Sequence, residues 1–389
     1  MKRKRKVEIL DTTIRDGEQM DNVSFMTAEK VLLTQMLLEE VKVDRVEITS
    51  ARTSYVEAIT AATILDWASN HGFLERIEIL GFVDHTQSAD WIYELGGRTM
   101  NILAKGSLNH IRKQLRKTAK EHINDIKRTI DYAAGKGMKV NLYLEDWSNG
   151  FRHNKAYVFS LFDSLMTYPI DHFMLCDTLG ILFPTEMKQF VEEIKSRYPS
   201  MRIDLHCHND YGLATANSLF GIMGGAQGLH LTVNGMGERA GNACLEEVAV
   251  GLKDFVPSVT CGVNESALYA VSKKVELFSS QRIAVNKPIC GDNAFTHTSG
   301  IHVDGDLKGN LYTTKISPGR FGREVNYTFS KLSGKATLEY NLNKLGIELT
   351  DSQKAKVLAR IIQLSHDKEK ISVDDLPKLV DLVVRGFGS

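Results

Sequence analysis

The strongest constraint on the fold is a regular alternation of strand patterns and helix patterns along the first ~260 residues. Segments between the strands have helical periodicity, for example 27–41, 108–135 and 184–199, and Pro184 stands where a first helical residue is expected. This alternation predicts a parallel α/β fold. The eight strand patterns lie at 7–13, 45–50, 77–83, 99–106, 139–147, 172–178, 202–209 and 228–236.

Eight strand–helix units predict a (β/α)8 TIM barrel over residues 1–262. A doubly wound open sheet is the alternative, because the alternation by itself establishes only a parallel α/β class. A barrel would place its functional side chains at the C-terminal ends of several different strands. Polar residues do follow six of the eight strand patterns, for example in DTTIRDGEQ (11–19), HCHND (206–210) and NGMGERAGN (234–242).

The alternation stops after the eighth unit. Residues 263–325 are predicted to form an irregular connector, which starts with a helical pattern at 263–285 and includes a glycine-rich polar stretch at 291–312. Residues 326–389 have short helical patterns and are predicted to form a small helical subdomain.

Composition and charge exclude several classes of protein. The 389 residues are 43% hydrophobic and carry 48 basic and 48 acidic side chains, so no net charge favours nucleic acid or an anionic membrane. The basic run at 1–6 lacks the apolar region of a secretory signal and is interpreted as a solvated tail. No apolar stretch reaches the ~18 residues of a membrane helix. Five scattered cysteines indicate no disulfide framework and favour the cytoplasm: Cys176, Cys207, Cys244, Cys261 and Cys290.

His206 and His208 are the first candidates for a functional site. Residues i and i+2 of a strand face the same side, so both imidazoles would project into the top of the barrel, as in many divalent-metal sites. Strands 1, 7 and 8 are close together around a closed barrel, so Asp16 and Asn242 complete a candidate ligand set. Two histidines with ordinary hydrogen bonds in a core would have the same spacing, and that alternative stays open.

Arg15 stands next to Asp16, where a cation beside a metal is unfavourable unless an anion is also present. An α-keto acid satisfies this condition, because its carboxylate and keto oxygen can chelate the metal while Arg15 stabilises charge on the keto oxygen. A salt bridge from Arg15 to Glu145 or Asp177 is the alternative.

The motif NGMGERAGN has the glycine spacing of a dinucleotide fingerprint, but it follows the last strand of the series and not the first. We therefore interpret its glycines as allowing a tight loop beside the site. A phosphate-bearing cosubstrate stays open, because the loops after strands 7 and 8 of barrels often bind phosphate.

Together with FTHTSGIHVDG (295–305), the three motifs resemble the acyl-CoA Claisen condensing enzymes of the barrel metallolyase superfamily. These are the 2-isopropylmalate, homocitrate and citramalate synthases, and the resemblance covers essentially the whole chain. It implies a divalent metal (Zn, Mn or Mg), condensation of acetyl-CoA with an α-keto acid, and hydrolysis of the CoA thioester. It also implies a homodimer with shared active sites.

The resemblance assigns a role to each matching position. A Glu–His pair of the kind it implies can remove a proton from the acetyl methyl group near neutral pH. His302 matches a catalytic histidine that enters the neighbouring subunit's barrel, and Tyr312 matches a tyrosine of the same region. The other implied roles are metal ligation by Asp16, His206 and His208 with Asn242 nearby, keto-oxygen stabilisation by Arg15, substrate-carboxylate binding by Thr178, and catalysis by Glu145.

The family pattern places the keto-acid side chain against Leu80, Leu103 and Tyr143. Isopropylmalate synthases tend to have histidine where Leu103 stands and serine where Tyr143 stands. The tyrosine favours a methyl group over an isopropyl group, since a clash costs roughly 1–3 kcal/mol, about 10- to 200-fold in discrimination. The trio has no basic residue for a second carboxylate, which disfavours 2-oxoglutarate, and residues 81–152 resemble pyruvate-selective bacterial citramalate synthases.

We therefore expect pyruvate as the acceptor, with the product serving isoleucine synthesis. The alternative is 2-oxoisovalerate, for leucine synthesis. A lyase or carboxyltransferase, or a metal- and CoA-binding sensor, is disfavoured by the connector and by the combination of Arg15, Asp16, Glu145 and His302. Longer relatives carry a C-terminal regulatory domain; none is expected here, and feedback inhibition by isoleucine or leucine is expected to be weak or absent.

Overall fold

The structure is a computed structural model that describes residues 4–367, 369 and 371–386. The chain forms two compact units, residues 1–283 and 284–389. This division lies beyond residue 262, where the sequence placed the end of the barrel. The helix at Leu268–Ser279 accounts for the difference, because Asn234 and Ser272 exchange two hydrogen bonds that hold this helix to the loop after the eighth strand.

Eight parallel strands close into a barrel in the first unit. Strand β1 pairs with both β2 and β8, so the sheet has no open edge among these eight strands, and a ninth strand pairs with the start of β1. The predicted TIM barrel is confirmed, and the open sheet is excluded. The strands are β1 (Arg5–Asp11), β2 (Arg45–Ser50), β3 (Ile77–Phe82), β4 (Thr99–Lys105), β5 (Lys139–Glu145), β6 (Phe173–Asp177), β7 (Ile203–Cys207), β8 (Gly228–Leu231) and β9 (Val259–Cys261).

Helices follow the strands and cover the outer face of the barrel, so the strands are buried on both faces and have nearly continuous apolar sequences. The α-helices of this unit are α1 (Thr27–Gln35), α2 (Tyr55–Asn70), α3 (Gln87–Glu94), α4 (Leu108–His110), α5 (Ala119–Gly135), α6 (Trp147–Leu165), α7 (Pro184–Arg197), α8 (Ala214–Met223), α9 (Leu245–Phe255) and α10 (Leu268–Ser279).

Buried charges fill the N-terminal end of the barrel. Arg45, at the start of β2, pairs with Glu78 at 2.9 Å and with Asp204 at 2.5 Å. All three side chains are at most 10% exposed. This end of the barrel is therefore packed, and space for a ligand lies at the opposite end.

Among its described residues, the second unit contains a short parallel strand pair and four α-helices. Part of the predicted irregular connector is helical, since α11 covers Gly300–Gly309, and Val303 is its one buried side chain. The apolar core of this unit includes Leu338, Val357 and Ile361. The elements are β10 (Thr296–His297), β11 (Asn326–Tyr327), α11 (Gly300–Gly309), α12 (Lys335–Lys344), α13 (Asp351–His366) and α14 (Leu376–Val380).

Part of the basic N-terminal run belongs to the barrel. Residues 1–3, which the sequence assigned to a solvated tail, lie outside the described residues. Arg5 belongs to β1, and its guanidinium donates to the carbonyl of Ile222 at 2.9 Å. Within the described part of the chain, no helix has the length and apolar character needed to cross a membrane.

Candidate metal centre and active site

The C-terminal ends of the barrel strands surround a cavity of about 530 Å³. Asn242 adjoins this cavity through a hydrogen bond to Asp16. His302 and Tyr312 lie in the second compact unit. The remaining predicted site residues all line the cavity: Arg15, Asp16, Leu80, Leu103, Tyr143, Glu145, Thr178, His206 and His208.

A tight turn after β1 fixes the positions of Arg15 and Asp16. The carbonyl of Thr12 accepts hydrogen bonds from the backbone N–H groups of Arg15 and Asp16, at 3.1 and 2.8 Å. Both side chains are at most 9% exposed. The turn therefore directs an adjacent cation and anion into the cavity.

Asp16, His206 and His208 form a compact group of candidate metal ligands. Their ligand atoms all lie within 4.8 Å of one another. The Nε2 atoms of His206 and His208 are 3.1 Å apart, and Nε2 of His206 is 3.9 Å from Oδ2 of Asp16. Two imidazole nitrogens that face each other need either a shared proton or a common cation, so this geometry fits a divalent metal ion.

The electrostatic environment favours the protonation states that metal binding requires. Burial lowers the pKa of both His206 and His208, which keeps the imidazoles neutral. Burial alone would raise the pKa of Asp16, but the Arg15 guanidinium and the hydrogen bond from Asn242 outweigh it and hold this pKa below its ordinary value. An ionised carboxylate and two neutral imidazoles are therefore available together.

Asn242 supplies a further oxygen beside this group. Its Nδ2 donates to Oδ1 of Asp16 at 2.8 Å and to the carbonyl of Met236 at 2.9 Å. Its Oδ1 is buried and accepts no hydrogen bond from the described residues. Gly237 leaves room for the Asn242 amide, because a Cβ atom at residue 237 would lie 2.4 Å from Nδ2 of Asn242. The φ of Gly237 is 146°, a backbone conformation that also favours glycine. The fourth predicted ligand therefore has an orphaned oxygen that fits a metal.

Arg15 is held by two carboxylates. Its guanidinium is 2.9 Å from Asp16, and it contacts Oε2 of Glu47 through Nε at 2.7 Å and through Nη2 at 2.6 Å. Burial alone would lower the pKa of Arg15, but Glu47 and Asp16 raise it above its ordinary value. The alternative salt bridges to Glu145 or Asp177 do not occur among the described contacts of Arg15.

Sequence reasoning missed Glu47 and His230. Glu47 is fully buried in β2. Burial alone would raise the pKa of its carboxyl group, but Arg15 and His230 outweigh burial and lower this pKa. His230 in β8 lies 3.2 Å from Glu47 and places its Nδ1 3.0 Å from Nδ1 of His206. Each is a titratable residue in the interior of a buried strand, and this position within the strand pattern is the signal that could have identified them.

Leu80, Leu103 and Tyr143 form one apolar wall of the cavity. Leu103 of β4 is in register with Tyr143 of β5, and the three pack with Leu10 and Cys176. The Tyr143 ring stands edge-on to the ring of His230 at 5.5 Å. Its hydroxyl is buried without a partner in the described part of the chain.

The cavity also has cationic side chains that the sequence argument against 2-oxoglutarate did not include. Lys105 and Lys117 line it, and each is paired with a carboxylate. Lys105 pairs with Glu145, and Lys117 pairs with Asp125 at 2.6 Å. The cavity therefore gains little net positive charge from them.

Thr178, after β6, is oriented by the backbone next to Glu145. Its hydroxyl oxygen accepts from the N–H of Asp146 at 2.8 Å, and its carbonyl accepts from Arg239 at 2.7 Å. The hydroxyl of Thr178 lines the cavity and donates no hydrogen bond among the described contacts, so it has a proton to donate there.

His302 and Tyr312 lie close together within the second unit. Their ring centroids are 4.3 Å apart, and both side chains are exposed. Leu307 and Leu311, in and directly after α11, are also exposed. This segment presents an imidazole and a phenol beside an apolar surface.

Two protein families match the chain. The HMGL-like family matches residues 6–275, and the family described as homocitrate synthase post-HMGL domain-like matches residues 289–369. Together they cover both compact units.

Curated relatives are similar along nearly the whole chain. A putative (R)-citramalate synthase of Archaeoglobus fulgidus is 33% identical over 97% of this chain and 76% of its own length. The (R)-citramalate synthase of Methanocaldococcus jannaschii is 34% identical over 96% of this chain and 74% of its own. A 2-isopropylmalate synthase of Saccharolobus solfataricus is 33% identical over 96% and 95%.

Solved structures support the fold. The hydroxymethylglutaryl-CoA lyase of Pseudomonas aeruginosa superposes with a TM-score of 0.63 at 18% identity, over 75% of this chain and 98% of that one. The HMG-CoA lyase of Bacillus subtilis gives 0.60 at 22% identity, over 73% and 97%.

Proposed function

Because the chain belongs to the HMGL-like family, in its group of citramalate and 2-isopropylmalate synthases, we propose that it condenses acetyl-CoA with pyruvate. The products are (R)-citramalate and CoA, after hydrolysis of the thioester. The observation that carries this proposal is that Arg15 contacts Asp16 of the candidate metal group and lines the same cavity as Tyr143. Such a site suits a small, chelating 2-oxo acid.

Asp16, His206 and His208 would hold a divalent ion, with Asn242 as a further oxygen donor. When bound, such an ion supplies Lewis-acid polarisation of the keto carbonyl. Arg15 donates to the keto oxygen and stabilises the negative charge that develops there as the new carbon–carbon bond forms. Its two carboxylate partners keep the guanidinium oriented before the substrate arrives.

Thr178 and Glu145 complete the chemistry of this barrel. The Thr178 hydroxyl donates to the substrate carboxylate. Glu145 accepts a proton from the acetyl methyl group, and the resulting enolate carbon attacks the keto carbon. Leu80, Leu103 and Tyr143 surround the methyl group of pyruvate.

We extend the proposal to a cytoplasmic homodimer with shared sites. The exposed His302 and Tyr312, beside the exposed Leu307 and Leu311, support a segment that enters a partner's barrel. His302 would then act with Glu145 in proton transfer.

The test is CoA release from acetyl-CoA with pyruvate, 2-oxoisovalerate, 2-oxobutanoate and 2-oxoglutarate, each with and without a chelator. We expect the highest kcat/KM with pyruvate, and loss of activity in the chelator that added Mn²⁺ or Zn²⁺ restores. A preference for 2-oxoisovalerate would favour the second candidate, a 2-isopropylmalate synthase, which the relatives of that name support. It would contradict the role given to Tyr143.

A further inference from the structure

Lys105 lines the cavity and pairs with Glu145, and the proposed chemistry does not use it. Strands β4 and β5 are in register at these two positions, so the two side chains project side by side from neighbouring strands. Nζ of Lys105 forms an ion pair with Oε2 of Glu145. The two side chains are 10% and 23% exposed, and both line the cavity.

The backbone of Lys105 is fixed from two directions. Its N–H donates to Nε2 of His122 at 3.0 Å, and its carbonyl accepts from the hydroxyl of Tyr157 at 3.0 Å. Burial lowers the pKa of His122 to about 4, so at neutral pH its imidazole remains a hydrogen-bond acceptor. The neighbouring N–H of Gly106 donates to the carbonyl of Glu145 at 2.6 Å. The ends of β4 and β5 are therefore held together where the ion pair forms.

The other oxygen of Glu145 faces His110. Nδ1 of His110 is 3.7 Å from Oε1 of Glu145, beyond hydrogen-bond range, and Nε2 is 3.4 Å from Oδ2 of Asp146. One carboxylate oxygen is thus engaged by Lys105, and the other has no comparably close cation.

We propose that Lys105 is a positioning residue that orients the Glu145 carboxylate for proton abstraction. The inference rests on the proposed function, because it assumes that Glu145 is the base. Desolvation of a nearly buried lysine is costly, and an ion pair offsets this cost only when both charges are well placed. A base must also lie within reach of the proton that it removes, and the ion pair holds the Glu145 carboxylate in one position at the end of β5.

Lys117 is a matched control. It lines the same cavity, but its Nζ pairs with Asp125 at 2.6 Å and its side chain is 41% exposed. Replacing Lys117 removes a positive charge from the cavity and leaves the Lys105–Glu145 pair in place.

The experiment compares Lys105→Met, Lys105→Arg and Lys117→Met in steady-state kinetics with the preferred 2-oxo acid. For Lys105→Met we expect kcat to fall about 100-fold while both KM values change less than about threefold. Lys105→Arg should recover part of kcat, and Lys117→Met should keep kcat and both KM values.

Two kinetic results would overturn the inference. One is a Lys105→Met variant with unchanged kcat. The other is an effect confined to the KM for acetyl-CoA, which would make Lys105 a ligand for that substrate. Wild-type protein that releases no CoA with any of the four acids would instead overturn the proposed function.

A measurement that needs no turnover tests the Lys105–Glu145 ion pair, whichever kinetic result is found. Competitive labelling with a limiting amine reagent, read by mass spectrometry, compares Lys105 with Lys117 in wild-type and Glu145→Gln protein. Loss of the pair should raise the labelling rate of Lys105 at least severalfold and leave Lys117 unchanged. Equal labelling of Lys105 in the two proteins would contradict the inference.

Discussion

Glu47 gives Arg15 its orientation and connects it to the histidines. Besides Arg15, its carboxylate accepts from Thr12 at 2.9 Å and from Asn101 at 2.8 Å, and it lies 3.2 Å from His230. Since each of these groups comes from a different strand or from the turn after β1, one buried carboxylate couples several elements at the floor of the site. Removal of a partner from such a network leaves a buried charge uncompensated.

Substitution Glu47→Gln should lower kcat/KM by about 100-fold, because one of the two carboxylates that orient Arg15 is lost. Glu78→Gln is the control, since Glu78 is the in-register neighbour of Glu47 but pairs with Arg45 at the packed end of the barrel. We expect both variants to have a lower Tm and only Glu47→Gln to lose most of its activity. Kinetics below both melting temperatures, with Tm from calorimetry, distinguish the two effects. Equal loss of activity would assign Glu47 a purely structural role.

At the residue scale, the sequence identified the groups that stand at strand exits. Asp16, His206 and His208 could be identified from the sequence, because they stand at strand exits and because residues i and i+2 of a strand face one side. Glu47 and Lys105 could not be identified in this way, because their importance depends on which strands are neighbours and on the register between those strands. The catalytic roles assigned to Glu145 and His302 remain predictions that kinetics must test.

At the scale of elements, the helix predicted over 108–135 is interrupted. Helix α4 continues as a π-helical turn over Ile111–Leu115, and Arg116 adopts a left-handed conformation with φ of 55°. Helix α5 then begins after Thr118, whose side chain forms a capping box with Glu121. The capping motif is visible in the sequence, but the helix-favouring residues before it concealed the break.

Substitution Thr118→Ala should destabilise the start of α5 by about 1 kcal/mol. Hydrogen exchange should accelerate at the backbone amides of the first turn, while the rest of α5 stays protected. The control is Thr350→Ala, which removes an equivalent capping box from α13 in the second unit. Unchanged exchange at Glu121 and His122 would mean that tertiary packing alone holds this turn.

At the scale of the whole molecule, the sequence predicted the closed barrel because eight strand–helix units are visible in order. It did not predict that the first compact unit extends to residue 283, because that boundary depends on the hydrogen bonds between Asn234 and Ser272. The helix within 291–312 was also missed, since its glycines indicated a loop.

The stability of the molecule should depend on the ionisation of Asp11. This carboxyl group is fully buried, and burial raises its pKa to about 7, with Glu246 of α9 adding a smaller repulsion. A raised pKa means that the folded protein holds the proton more tightly than the unfolded chain. Stability therefore falls as the pH rises from about 4 to about 7, by up to the order of 4 kcal/mol, and is constant above that range.

Asp11→Asn removes this titration and keeps an acceptor for the N–H of Thr13. We expect the Tm difference between variant and wild type to increase in favour of the variant from pH 5 to pH 7, and to be constant from pH 7.5 to pH 8.5. Differential scanning calorimetry across this range provides the measurement. A Tm difference that does not change between pH 5 and pH 7 would mean that the pKa of Asp11 lies outside this range.

The most direct test of the proposed condensation is to observe the new carbon–carbon bond. Acetyl-CoA labelled with ¹³C in the acetyl methyl group is incubated with pyruvate labelled with ¹³C at the keto carbon, and the product is examined by ¹³C NMR. We expect one-bond ¹³C–¹³C coupling between a methylene and a quaternary carbon, present with wild-type protein and metal and absent in Asp16→Asn. Release of CoA with singly labelled acetate and no coupling would mean that the protein only hydrolyses the thioester, and would contradict the proposed condensation.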